Sequence, residues 1–176
     1  MKAFLLKSGS AFCVAASLLT AAHAQKPMLS PAASTSQTID GKTVSISYNA
    51  PSMRGRNIFG GLVPYGKVWR TGANPATTLK TEVDLKVGTA TVPAGTYTLY
   101  TLPAEGTWKL IVNKQTGQWG TVYNQDRDLV RVDMKKTIFA PPQQVMSIAI
   151  EPFHDHKSSL HIRWDTTDVS VPLAAK

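Results

Sequence analysis

The sequence predicts an all-β fold: a single-domain antiparallel sandwich or jelly-roll-like barrel with one long Gly/Pro/Arg-rich loop. Three observations carry that prediction. Apolar residues recur with a period of two, the spacing that lines one face of a strand. Thr77, Leu79, Thr81, Val83 and Leu85, for example, alternate with Thr78, Lys80, Glu82 and Asp84. Turn signals recur at short intervals, at Val87-Gly88, Pro93-Ala94-Gly95, Glu105-Gly106 and Thr116-Gly117. No stretch of about 12 residues carries the 3.6-residue apolar stripe of a helix. Composition agrees: 43% hydrophobic residues are enough to build a core, and a single Cys excludes a disulfide scaffold.

Residues 1–24 read as a secretory signal. Lys2 and Lys7 give a positive start, residues 8–22 are uncharged and small or apolar, and Ala22-His23-Ala24 is a small-x-small cleavage site. The apolar run is shorter than the roughly 20 residues that span a bilayer. Cleavage after Ala24 leaves 152 of the 176 residues and lowers the formal charge from +8 to +6. It also removes Cys13, the only cysteine, so the mature chain has no disulfide, no Cys–metal site and no Cys nucleophile. The expected product is a bacterial exported protein, periplasmic or extracellular, with no transmembrane segment after cleavage.

Residues 25–36, rich in Ser, Ala and Pro, read as a flexible leader, and residues 37–173 as one domain. Asp40-Gly41 is a hairpin signal. Val44, Ile46 and Tyr48 then alternate with Ser45 and Ser47. The alternating run at 77–85 is the cleanest half-buried strand. Further strands are expected at 89–92, 95–102, 108–113, 130–134, 145–151, 160–164 and 169–173. Trp108 and Trp164 fall on apolar strand faces and read as core.

Residues 50–75 break the pattern, being rich in Gly and Pro with little alternation. A long irregular segment in a compact domain is often functional. Between Asp40 and Glu82 there is no acidic residue, yet the interval holds Lys42, Arg54, Arg56, Lys67, Arg70 and Lys80, with Tyr48, Phe59, Tyr65 and Trp69 interleaved. Arginine presents a planar fork of donors that suits carboxylate, phosphate or sulfate. In a purely structural role, Arg54, Arg56 and Arg70 would instead bridge loop carbonyls or pair with Asp126, Asp128 or Asp133.

The run from Tyr48-Asn49-Ala50-Pro51 through Arg54-Gly55-Arg56 and Gly60-Gly61-Leu62-Val63-Pro64-Tyr65-Gly66 into Lys67-Val68-Trp69-Arg70-Thr71-Gly72-Ala73-Asn74 resembles the signature of a bacterial secreted family, domain of unknown function 2911. Val92-Pro93-Ala94-Gly95-Thr96-Tyr97, Trp108-Lys109-Leu110-Ile111-Val112-Asn113-Lys114, Gly117-Gln118-Trp119-Gly120 and Asp128-Leu129-Val130-Arg131 extend the resemblance over nearly all of the mature chain. It implies a signal-bearing, all-β, mostly single-domain protein and carries no activity with it. Where the family pattern has Gly-Ala-Asn-Glu-Ala-Thr, this chain has Pro75 in place of the Glu.

Other chemistries have weaker support. His154, His156 and His161 could gather three imidazoles around a divalent metal. Glu82 with Asp84, and Asp126 with Asp128, are carboxylate pairs of the type glycoside hydrolysis uses. No Gly-x-Ser-x-Gly elbow is present, and the positive charge is spread without a nucleic-acid motif, so no nucleic-acid partner is expected. The sequence therefore points first to a noncatalytic binding or envelope-interaction module without a cofactor. Its patch would comprise Arg54, Arg56, Tyr65, Trp69, Arg70 and Asn74, with Asn113, Lys114, Trp119 and Arg131. The partner would be an anionic glycan, a lipid head group or an acidic peptide. The alternatives are a metal-assisted or carboxylate-based hydrolase, and a purely structural interaction protein.

Overall fold

The computed structural model describes residues 29–153 and 157–176. The expected signal at 1–24, and His154 and His156, lie outside the described residues. The described chain forms nine strands: β1 Ala32–Ile39, β2 Lys42–Asn49, β3 Thr77–Thr81, β4 Leu85–Val87, β5 Ala90–Val92, β6 Gly95–Leu102, β7 Trp108–Asn113, β8 Asp128–Phe153 and β9 Lys157–Ala175. Its one helical feature among the described residues is a 3-10 turn at Gln125–Arg127. No helix there is long and apolar enough to cross a membrane.

All pairings are antiparallel, in the order β1-β2-β3-β6-β7-β8-β9-β4-β5. The edge strands β1 and β5 do not pair with each other, so the sheet does not close into a barrel. Instead β8 joins two layers. Residues up to Met134 pair with β7, and Lys135 onward pairs with β9. Register breaks between Ile138, Gln143 and Ser147 bend the β8–β9 ribbon, and β1 packs against both strands of it. The side chain of Tyr48 stitches the layers: its hydroxyl accepts from the Ile148 N–H at 3.0 Å and donates to the Ile148 carbonyl at 3.5 Å. The fold is thus the expected sandwich, built by folding one sheet over.

The core is made by alternation. Ile46, Leu79, Leu99, Trp108, Leu110, Ile148, Ile162 and Trp164 are all buried. In β9, residues 158, 160, 162 and 164 point inward; the phase then slips at Asp165 (φ 54°), and residues 167, 169, 171 and 173 point inward. That slip makes two apparent strands out of one.

Two other expectations are corrected. Residues 32–36 are not leader but the first half of β1, paired from Ala32↔Asn49 to Ile39↔Lys42. As an edge strand with mostly exposed or half-buried side chains, β1 is held by its backbone ladder and needs no apolar face. The alternating run at 77–85 is two strands in different layers. After Thr81 the chain crosses over: Glu82 accepts from the Thr43 N–H at 3.0 Å and Asp84 from the Ala94 N–H at 2.9 Å, and Leu85 begins a strand that pairs with β9. Burial of Leu79, Thr81, Leu85 and Val87 keeps the alternation through the crossing.

Candidate functional site

The irregular segment 50–76 is folded over the open end of the sandwich by apolar anchors and short turns. Ile58 and Val63 are buried, and the Val63 N–H donates to the Ile58 carbonyl at 2.9 Å. Gly60 takes φ 85° where a Cβ would stand 3.1 Å from the Tyr65 ring, so only glycine fits that turn comfortably. Phe59 meets Trp69, Trp108 and Trp164 edge-on at 4.9 to 6.2 Å. Trp69 lies parallel to Trp164 with centroids 5.9 Å apart, and exchanges both backbone hydrogen bonds with Thr101. These contacts fix the direction in which the neighbouring basic side chains project.

Arg54, Arg56, Lys67 and Arg70 line one concavity of about 430 Å³, with Trp69, Trp164 and Asn74 also in its wall. Among the described residues, no acidic side chain lines it. None of the four cations has an ion pair among the described residues. Arg54 donates to the Leu29 carbonyl at 2.6 Å, and Arg56 to the Met53 and Ser52 carbonyls at 2.9 and 2.7 Å. A guanidinium has five N–H donors, so both keep donors to spare while their heads are held. Arg70 is placed differently. Its aliphatic stem lies against Gly120, where a Cβ would overlap it, and its Nε is buried with no partner. An unpaired buried donor costs about 1–3 kcal/mol.

A second concavity of about 550 Å³ adjoins the first and shares Leu29, Ser30 and Asn74 with it. Its other walls are Ala32, Asn49, Pro75 and Trp119. Trp119 is 54% exposed and Leu29 68% exposed.

Of the ten patch residues expected, the structure brings Arg54, Arg56, Trp69, Arg70 and Asn74 together in the cationic cavity and sets Trp119 beside it. It places the other four apart. Tyr65 packs over Gly60 and faces Lys136, whose Nζ is 5.9 Å from the ring centroid. Asn113 is 1% exposed: its Nδ2 donates to the Asn124 carbonyl and to Asp128 Oδ1, both at 2.8 Å, and its Oδ1 accepts from the Gln115 N–H. Arg131 is tied to Asp128 and the Tyr123 hydroxyl. Burial, reinforced by Asp128, pushes the Tyr123 phenol up to about 12. Asn113 and Arg131 therefore fasten loop 114–127 to the sheet, and Lys114 is exposed at the start of that loop. Lys67 and Trp164 are among the cavity residues outside the expected patch. Lys67 belongs to the same acid-free interval that marked the arginines, and Trp164 had been read as core alone.

Most of the remaining candidates among the described residues have structural partners. His161 Nδ1 is 3.0 Å from both oxygens of Asp168, and its Nε2 is 3.7 Å from Glu151. Arg163 bridges the same two carboxylates, and its hydrogen bonds hold the Glu151 carboxyl below the usual range. No described cluster of His, Cys, Asp and Glu is arranged to hold a metal. Glu82 and Asp84 accept turn N–H groups, and Asp128 is engaged by Tyr123, Arg131 and Asn113.

The fold and cavity define a class: an all-β sandwich whose loop layer presents a cationic concavity beside an apolar groove. Residues 30–173 match the family described as "protein of unknown function (DUF2911)", and the chain belongs to that family. No curated protein and no solved structure matches it.

Proposed function

We propose that this protein is a binding module that holds the acidic group of a ligand in the cavity walled by Arg54, Arg56, Lys67 and Arg70. The observation that carries this reading is the convergence of four cations on one concavity without a carboxylate among its walls. Like charges gathered on one concavity repel one another. A bound carboxylate, phosphate or sulfate relieves that repulsion. We place the site of action outside the cytoplasm, on the signal character of residues 1–24. The ligand would be the acidic part of a glycan, a lipid head group or a peptide, three sources of the same chemistry.

Titration calorimetry with phosphate, sulfate and a dicarboxylate tests the reading. Binding should weaken as salt rises, and Arg70→Gln should weaken it by at least about tenfold, the scale of one lost charged hydrogen bond. A folded Arg70→Gln that binds as well as wild type sinks the proposal.

A structural reading is favoured at two positions by specific contacts. Arg54 ties segment 54–56 to Leu29, and Arg56 closes the turn at Ser52 and Met53. Arg54→Ala should therefore lower the melting temperature as well as the affinity, whereas Arg70→Gln lowers affinity alone.

A further inference from the structure

We infer that the ligand is an amphiphile: its acidic head lies in the cationic cavity and a single hydrocarbon chain runs along the adjoining groove to Trp119. The inference rests on the anion-binding reading and adds the class of molecule. The two concavities are neighbours with Leu29, Ser30 and Asn74 as a common wall, over which one ligand would reach from one into the other. The groove beyond that junction is walled mainly by apolar side chains, and two of them, Leu29 and Trp119, are largely exposed. Exposed large apolar side chains grouped in a groove mark an interaction site more often than scattered ones do.

The polar groups of the groove argue against a sugar there. The Asn49 and Asn74 amides both donate to the Ser30 carbonyl, at 3.0 and 3.5 Å. That leaves few free donors for the ring of hydroxyls a glycan would present, while Trp119 and Leu29 offer contact area to methylenes. Charge argues against two other occupants. Residues 25–28 would bring Lys26 and no acidic side chain toward the cations, and a second copy of the chain would bring a further surplus of positive charge. A molecule with an acid at one end and an apolar body at the other complements both concavities.

Alkyl phosphates test this. Methyl, butyl and octyl phosphate, each below its micelle-forming concentration, are titrated into wild type, Trp119→Ala and Arg70→Gln, with octyl glucoside as the uncharged amphiphile. A fully buried methylene is worth about fourfold in affinity, so an open groove should still favour octyl over methyl phosphate by at least about tenfold. Trp119→Ala should cut that preference to under about threefold and leave methyl phosphate unaffected. Arg70→Gln should weaken all three phosphates, and octyl glucoside should not bind. Circular dichroism checks that both variants fold. If methyl phosphate binds and chain length has no effect, this inference falls while the anion-binding reading stands. If no phosphate binds, both fall. Equal binding of octyl glucoside would overturn the placement of the acidic head. A dimer in sedimentation that Trp119→Ala dissolves would make the groove an interface between copies, and would overturn the inference too.

Discussion

Gly120→Ala should disable the cavity from behind. Gly120 is buried, and its N–H donates to the Asn74 carbonyl at 3.1 Å. A Cβ added there would stand 2.7 Å from that carbonyl oxygen and 3.0 Å from the Cβ of Arg70, with the Arg70 stem closer still. Distances of that size cannot be absorbed by rotating a distant side-chain tip. Both the Asn74 segment and the Arg70 side chain must shift. Overpacking of this kind costs about 1–3 kcal/mol. For a domain of this size that is a fall of about 2–10 °C in melting temperature. Because Arg70 has to leave its place, anion affinity should fall together with stability. Gly106→Ala is the control, since a Cβ at Gly106 meets nothing within 4 Å. Melting followed by circular dichroism, paired with phosphate titration, reads both effects. If Gly120→Ala melts with Gly106→Ala and binds like wild type, the account of how Arg70 is held is refuted.

Three further outcomes follow from contacts elsewhere. Tyr48→Phe should cost about 1–3 kcal/mol in urea unfolding, because it leaves the buried Ile148 N–H without its partner; a change within about 0.5 kcal/mol would remove Tyr48 as the stitch between layers. Tyr123 keeps its proton to about 12 in the fold, whereas an unfolded chain releases it near 10. Stability should therefore fall as pH rises from about 10 toward 12, and Tyr123→Phe should flatten that part of the profile. Glu151 has its pKa lowered by Arg163, so its contribution is present above the unfolded value near 4.3 and is lost as pH falls through the lower folded value. Glu151→Gln should be less stable than wild type at neutral pH, with the gap closing in acid; an unchanged gap would mean that the charge does not matter there.

Strands β6 and β7 could be read from the sequence with both bounds correct, because each is a short run rich in β-branched and aromatic residues closed by turn residues. What could not be read was which layer a strand joins. The alternation from Thr77 to Val87 survives a crossing between layers, so it conceals the crossing. β1 has no apolar stripe, because an edge strand is held by backbone hydrogen bonds, which leave no mark in side-chain pattern. The cationic cavity was legible in part because its charges are local: Arg54, Arg56, Lys67 and Arg70 fall within 17 consecutive residues that contain no acid to neutralise them. Asn113 and Arg131 could not be separated from that group by pattern alone. Their partner, Asp128, reaches them through a register shift at Val112/Asn113, and pairing register is invisible without the fold. The second concavity was invisible for the same reason, since it joins Leu29, Asn49, Asn74 and Trp119 across four sequence-distant segments.

The position of β9 sets the order in which the molecule can be assembled. It lies between β8 and β4 in the sheet, pairs Leu85 with Ala175, and is followed by a hydrogen bond from the Lys176 N–H to the Asp84 carbonyl. Until residues 157–175 are present, β4 and β5 are a two-stranded ribbon of three residues each, too small to be stable in water. The second layer therefore cannot form progressively as the chain emerges; it waits for its last strand. Pairings across such long sequence separations also slow folding. The first layer has all its pairings without β9, so the molecule closes in two stages and only the second waits on residues 157–175.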